Sequence, residues 1–198
     1  MAATLVLDDA TGLQHLELVL NAGRRYRVIA PRPELKAGLL RTLRAAAPVA
    51  VVAPRGGLIG NLKLWENLVL PSQYREESGS GGAAGLGALE ARAEALYRAL
   101  GVARERFVEL CAMLPERLSE FERRLAAFVR GMLAEPQIMV YDGLFDGLTR
   151  PEAGRAVRFD RLFLLHFPFR TALYVDAHDP MVPALAGLPV IRLQERQP

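Results

Sequence analysis

Lys36, Asp142 and His178 are the side chains of this sequence best placed for chemistry, because each stands just past an apolar, strand-like segment. A lysine neutralises an anion, a carboxylate holds a cation or caps a loop, and an imidazole exchanges a proton near neutral pH. Their plainest readings are modest ones: a solvated lysine at the start of a helix, a carboxylate bonded to a neighbouring loop and a structural histidine after a strand. Ser119, with Glu122 three residues on, has the spacing of a helix capping box. Cys111 is the only cysteine, which excludes an intramolecular disulfide and a cysteine-based zinc site and suits the cytosol. It has no basic neighbour in sequence to lower its pKa, so it is expected to be buried and inert.

These residues need elements to position them. Leu16–Leu20 alternates apolar and polar residues and runs into an Asn21-Ala22-Gly23 turn; Tyr26–Ala30 reads as a strand. Leu35 to Leu43 has helical spacing through Leu35, Leu39, Leu40 and Leu43. Pro48–Ala53 is short, apolar and β-branched, as a buried strand would be. Residues 78–88 are Gly- and Ser-rich and predict a flexible loop before a helix over 89–100. A second helix spans 119–133, with Leu125, Phe128, Val129, Met132 and Leu133 on its apolar face, and Pro136 stops it. Strands follow over 138–142 and 171–176. Strands alternating with helices predict an α/β chain with a mostly parallel sheet.

Composition bounds the rest. The chain has 198 residues, 51% of them hydrophobic and 24% charged, with a net charge of +3. Its mean hydropathy is +0.13 and its mass 21.8 kDa, enough apolar material for a folded core. No apolar run is long enough for a transmembrane helix, and Met1–Asp9 does not read as a signal peptide. Of the 25 basic residues only Lys36 and Lys63 are lysines. No arginine cluster carries interleaved aromatics, so nucleic acid is not expected as a partner.

The order of elements resembles the ATP-binding subunit of ATP-binding cassette (ABC) transporters, and the resemblance runs over nearly the whole chain. Leu118-Ser119-Glu120-Phe121-Glu122-Arg123-Arg124, continuing to Pro136, looks like the signature helix of that family. Gly57–Pro71, with Trp65 and Asn67 in it, is similar to the segment after the Q-loop, especially in subunits of lipid-trafficking and organic-solvent-resistance transporters. The resemblance implies a P-loop NTPase-like fold with a mostly parallel sheet, a helical subdomain over about 68–134 and a reduced antiparallel subdomain, all as one domain over 1–198. The antiparallel part is expected to be cut back because Lys36 and Pro54 lie close together in sequence.

Position by position, the resemblance implies a degenerate nucleotide site. An intact P-loop, G-x-x-x-x-G-K-S/T, wraps phosphates in backbone N–H groups while the lysine neutralises them and the hydroxyl holds Mg²⁺. The matching stretch is Ala30-Pro31-Arg32-Pro33-Glu34-Leu35-Lys36-Ala37: it keeps the lysine and loses both glycines and the hydroxyl. Asp142 matches the Mg²⁺-linked Walker B aspartate, yet Gly143 stands where a catalytic glutamate is expected. Pro54 takes the Q-loop glutamine position, Glu120 and Phe121 take the signature glycines after Ser119, and Thr149 closes the D-loop stretch Asp146–Thr149. His178 keeps the switch-histidine position. Lys36 and Ser119 are thus remnant cofactor-binding positions, and Asp142 and His178 remnant metal and catalytic ones.

The resemblance further implies a cytoplasmic subunit, peripheral to the inner membrane only through a permease, and paired with a second ATPase subunit or a second copy of itself. Leu58, Trp65, Leu68, Leu70 and Tyr74 are the candidate permease-docking residues, with ordinary core packing as the alternative reading. The function the resemblance implies is a non-hydrolytic structural or regulatory subunit without a cofactor, with lipid transport suggested by the stretch around Asn61–Pro71. Two rivals stand beside it: an ATPase that still binds and hydrolyses ATP with Mg²⁺, and a free-standing regulator that reuses the fold.

Overall fold

A computed structural model describes residues 2–7, 16–77, 85–180 and 182–193, with side chains over 20–73, 85–180 and 182–193. Two strands, β1 (Ala2–Leu7) and β2 (Leu16–Asn21), form an antiparallel pair in which Ala2 faces Asn21 and Leu7 faces Leu16. The larger sheet contains β3 (Arg25–Ile29), β4 (Val49–Val52), β5 (Ile138–Asp142), β6 (Thr171–Asp176) and β7 (Val190–Arg192) in the order β4-β5-β6-β3-β7. The pairs β5–β6, β6–β3 and β3–β7 are all parallel. This is the mostly parallel α/β sheet the sequence predicted, with a two-stranded antiparallel piece beside it.

The central strands are buried on both faces, as a parallel sheet requires: every residue of β5 and β6 is buried. Tyr141 and Tyr174 stack across the β5–β6 pair with ring centroids 4.9 Å apart. The helices are α1 (Pro33–Ala46), α2 (Leu64–Glu77), α3 (Leu86–Ala99), α4 (Arg104–Cys111), α5 (Glu120–Leu133), α6 (Arg150–Ala156) and α7 (Arg158–His166). The chain divides into two compact units, one of residues 1–50, 136–143 and 163–198, the other of 51–135 and 144–162.

Three sequence expectations are corrected. The glycine-rich stretch 78–88 is not loop throughout: Gly85 is the N-cap of α3 and 86–88 are already helical, while 78–84 lie outside the described residues. Residues 64–77 form a helix that periodicity did not show, with Pro71 inside it. The short helices α4, α6 and α7 were likewise not foreseen. By contrast α5 starts as read. Ser119 Oγ accepts from Glu122 N at 3.2 Å, and Glu122 Oε2 accepts from Ser119 N at 2.9 Å, closing a capping box. Phe121 and Phe128 of α5 pack on Phe159 of α7, with centroids 6.0 and 4.6 Å away.

Candidate functional site

In the first unit, the parallel strands β3, β5 and β6 deliver Lys36, Asp142 and His178 beyond their carboxyl ends. The loop between β3 and α1 is only Ala30-Pro31-Arg32. Proline fixes φ near the helical value and lacks the N–H that a first helical position leaves unbonded. Pro33 is that first position, so α1 starts there, three residues before Lys36. Few backbone donors remain to hold an anion. Pro31 and Pro33 have none, Ala30 N donates to Asp176 O at 2.8 Å, and Lys36 N donates to Arg32 O at 3.3 Å.

The lysine itself is engaged. Lys36 Nζ donates to Asp142 Oδ1 at 3.1 Å, with the aspartate largely buried and the lysine half-buried. The two remnant positions therefore meet, and they meet as an ion pair. Gly143 follows with φ +55, and its N–H donates to Val175 O at 3.0 Å. His178 is exposed on the segment after β6. Its neighbour Asp179 forms an ion pair with Arg27, a buried side chain on β3 that sequence reasoning passed over. A Mg²⁺-nucleotide needs a wrapped loop of amides, a free ammonium and a hydroxyl, and residues 30–37 with Asp142 do not make that set.

The second unit holds the other sequence-predicted positions. Pro54 begins the turn after β4, and Gly56 there has φ +75. A Cβ on Gly56 would lie 2.6 Å from Arg123 O, so the backbone of α5 comes too close for any side chain. Arg130 of α5 holds the same turn, donating to Gly57 O at 3.0 Å and Gly56 O at 3.3 Å, and burial lowers its pKa. At the head of α5, Glu120 pairs with Arg123 at 2.5 Å and lies 3.6 Å from Arg124. Arg124 is buried and also donates to Asp146 O; burial lowers its pKa. Phe121 is buried, with the Arg155 guanidinium 4.2 Å over its ring. Ser119 is exposed and serves as the helix cap. Thr149 Oγ1 donates to Glu152 Oε2 at 2.7 Å and opens α6.

The docking candidates separate by burial. Leu68 is fully buried and belongs to the core, whereas Leu58, Trp65 and Leu70 are half-buried; the Tyr74 side chain lies outside the described residues. Trp65 lines a cavity of about 430 Å³ with Phe107, Val108, Cys111 and Ala112, rimmed by Lys63, Glu66 and Glu90. Cys111 is half-buried, not fully so, and burial followed by the nearby Glu90 carboxylate pushes its thiol up to about 12, which leaves it unreactive. Phe107 is backed by the buried Tyr97, centroid to centroid 5.0 Å.

The residue that shapes this wall is Asn67, fully buried on α2. Its Oδ1 accepts from Ile59 N at 2.7 Å, and its Nδ2 donates to Ile59 O, Leu62 O and Lys63 O at 3.0–3.2 Å. One carboxamide thereby fixes the loop that leads into α2. Sequence reasoning quoted Asn67 only within a resemblance. The signal available was a lone asparagine among apolar residues just inside a helix start. Among the described residues no three His, Cys, Asp or Glu side chains come together as a metal site, and no helix is long and apolar enough to cross a membrane.

No protein-family model matches the chain, and no curated protein does. Solved structures do match. A metal-chelate-type ABC transporter in an inward-facing conformation is 13% identical, with a TM-score of 0.72 over 99% of this chain and 80% of that one. An ATP-binding cassette protein, solved as a dimer in a post-hydrolysis state with ADP and Pi, is 17% identical, with a TM-score of 0.70 over 96% and 91%. The cbiO1 protein of Clostridium perfringens, part of the ABC transporter complex cbiONQ, is 11% identical, with a TM-score of 0.65 over 98% and 85%. The chain therefore has the fold of ABC transporter ATP-binding subunits.

Proposed function

We propose that this chain is a non-hydrolytic relative of ABC transporter ATP-binding subunits, acting as a structural or regulatory partner of a membrane permease. The observation that carries the reading is the Lys36–Asp142 ion pair beside a three-residue loop that contains Pro31 and is followed by Pro33. A nucleotide phosphate would have to displace Asp142 from Lys36 and would find no wrapped amides behind it. Each missing charge-assisted hydrogen bond costs about 1.5–3 kcal/mol of binding, so several together remove tight ATP affinity. At the second composite position Glu120, paired with Arg123 and Arg124, and the buried Phe121 stand where an intact signature has its glycines, so the close backbone approach that glycine allows a partner subunit's phosphate is lost.

The permease side rests on the second unit. The cavity beside Trp65 has apolar walls and a mixed-charge rim, a shape suited to an apolar side chain from a short partner helix. Leu58 and Leu70, both half-buried, are further candidates for that contact. Such docking would hold the chain at the cytoplasmic face of the membrane, beside a second ATPase subunit or a second copy. The likeness of Asn61–Pro71 to subunits of lipid-trafficking transporters points to a lipid cargo.

Equilibrium binding of labelled ATP with Mg²⁺ tests the nucleotide reading. No saturable binding at micromolar ATP is expected. Micromolar affinity that disappears in Lys36→Ala would overturn it in favour of a working ATPase. Co-purification from detergent-solubilised membranes tests the partner: a permease retained by the native chain and lost in Trp65→Ala is expected. Failure of any permease to co-purify would favour a free-standing regulator.

A further inference from the structure

We propose that the cavity beside Trp65 is a binding site for a small organic cation, an ammonium group carried on an aryl or alkyl body. The site lies wholly within the second unit, and its walls are held from behind. Leu64 N donates to Met113 O at 2.8 Å, which ties the start of α2 to the end of α4. Asn67 Nδ2 donates to Lys63 O at 3.2 Å and fixes the backbone at the rim. Phe107 is buried against Tyr97, so that wall is fixed as well. A space of about 430 Å³ falls in the range of small-molecule pockets, roughly 300–1,000 Å³.

Charge identifies the ligand. The rim carries two carboxylates, Glu66 and Glu90, against the one ammonium of Lys63, so it is net negative. Glu66 is held in place, its Oε2 accepting from Lys63 N at 2.6 Å. Glu90 has no hydrogen bond or ion pair among the described residues, whereas Glu94 of α3 and Glu109 of α4 are taken, by Arg104 at 3.8 Å and Arg106 at 2.9 Å. The Glu90 charge reaches the cavity wall, where it adds to the rise that burial gives the Cys111 thiol and keeps that thiol neutral. An apolar body would cover Trp65, Phe107 and Val108, the last of which is 56% exposed without it. An ammonium at the mouth would answer Glu90 and Glu66, and the indole of Trp65 is the side chain that best attracts a cation to its face. An anion would meet the same two carboxylates, and a neutral molecule would leave Glu90 unanswered. This site belongs to the chain alone and goes beyond the permease reading: ligand and partner side chain would compete for the same walls.

Trp65 is the only tryptophan of the chain, so its fluorescence reads this cavity in the purified protein with no permease present. Phenethylamine, 2-phenylethanol and phenylacetate are probes of similar shape that carry a positive, no and a negative charge at neutral pH. A saturable change in emission is expected with phenethylamine, with the alcohol about fivefold weaker and phenylacetate weaker still. Glu90→Gln should weaken phenethylamine about threefold, and Lys63→Gln should tighten it about twofold. Val108→Ser should weaken amine and alcohol alike, by about threefold. All three side chains are exposed, so an unchanged unfolding temperature is expected for the variants. No saturable change at phenethylamine up to about 10 mM would overturn the proposal. Equal affinity for amine and alcohol, tighter binding of phenylacetate, or an unchanged phenethylamine affinity in Glu90→Gln would each overturn it too.

Discussion

The two units use polar side chains in opposite ways. Beyond the carboxyl ends of β3, β5 and β6, charges cancel: Lys36 is met by Asp142 and Arg27 by Asp179. In the second unit polar groups hold backbone in shape. Asn67 fixes the loop before α2, Arg130 the turn at Gly56, and Ser119 with Glu122 the head of α5. The first arrangement pairs its charges with each other, whereas the second directs polar groups to backbone. Paired charges at one site and loops held to close tolerance at another thus occur in the same chain.

The strongest way to break this contrast is to remove Asn67. Asn67→Ala removes a fully buried carboxamide and with it the partner of Ile59 N and a bond to each of three carbonyls, a loss of about 2–4 kcal/mol. At about 2–4 °C per kcal/mol for a domain of this size, thermal unfolding should show a drop near 10 °C. A drop under a degree would mean that the loop before α2 is held by something else.

Gly56→Ala comes next. A positive φ and a clash with the Arg123 carbonyl together cost about 1–3 kcal/mol, read as a lowered denaturant midpoint with an unchanged slope. Ser119→Ala should cost about 1 kcal/mol through the lost cap. Glu122 sharpens the same point by pH. Burial raises its pKa, but the hydrogen bonds from Arg106 and Ser119 outweigh that and hold it below the ordinary carboxylate value. Its contribution is therefore complete above the unfolded-state value and is lost as pH falls through the lower folded-state value. Glu122→Gln should flatten the acid limb of the stability–pH curve below about pH 5; an unchanged limb would exclude Glu122 as its source.

The smallest effect belongs to the first unit. Lys36→Met removes the half-buried partner of the largely buried Asp142 and should lower stability by about 1 kcal/mol or less. It should leave ATP binding, measured by calorimetry, as undetectable as in the native chain. If Lys36→Met instead abolished a measurable ATP heat, the contrast between the two regions would collapse.

How far the sequence could be read follows from the range of the interactions involved. The head of α5 was legible because Ser119 and Glu122 lie three residues apart and the helix they cap has a regular apolar period. β5 and β6 were legible as short apolar runs closed by aspartates. α2 was not, since Pro71 and Asn67 interrupt its pattern and Asn67 is explained only by the loop it bonds. Leu68 stands with Trp65 as a docking candidate, with core packing as the alternative, for the same reason: without the helix nothing tells the two apart, and the helix turns Leu68 inward and leaves Trp65 half-exposed. The Lys36–Asp142 bond joins residues 106 positions apart. Sequence could place both near the same chemistry, but it could not say that they would neutralise each other.

The early start of α1 carries one more consequence. A helix presents the positive end of its dipole at its first turn, and in α1 that turn begins at Pro33 and carries Glu34. The same turn of chain thus holds two sources of positive potential, the helix start and the Lys36 ammonium. A carboxylate accompanies each: Glu34 lies in the first turn, and Asp142 is bonded to the lysine.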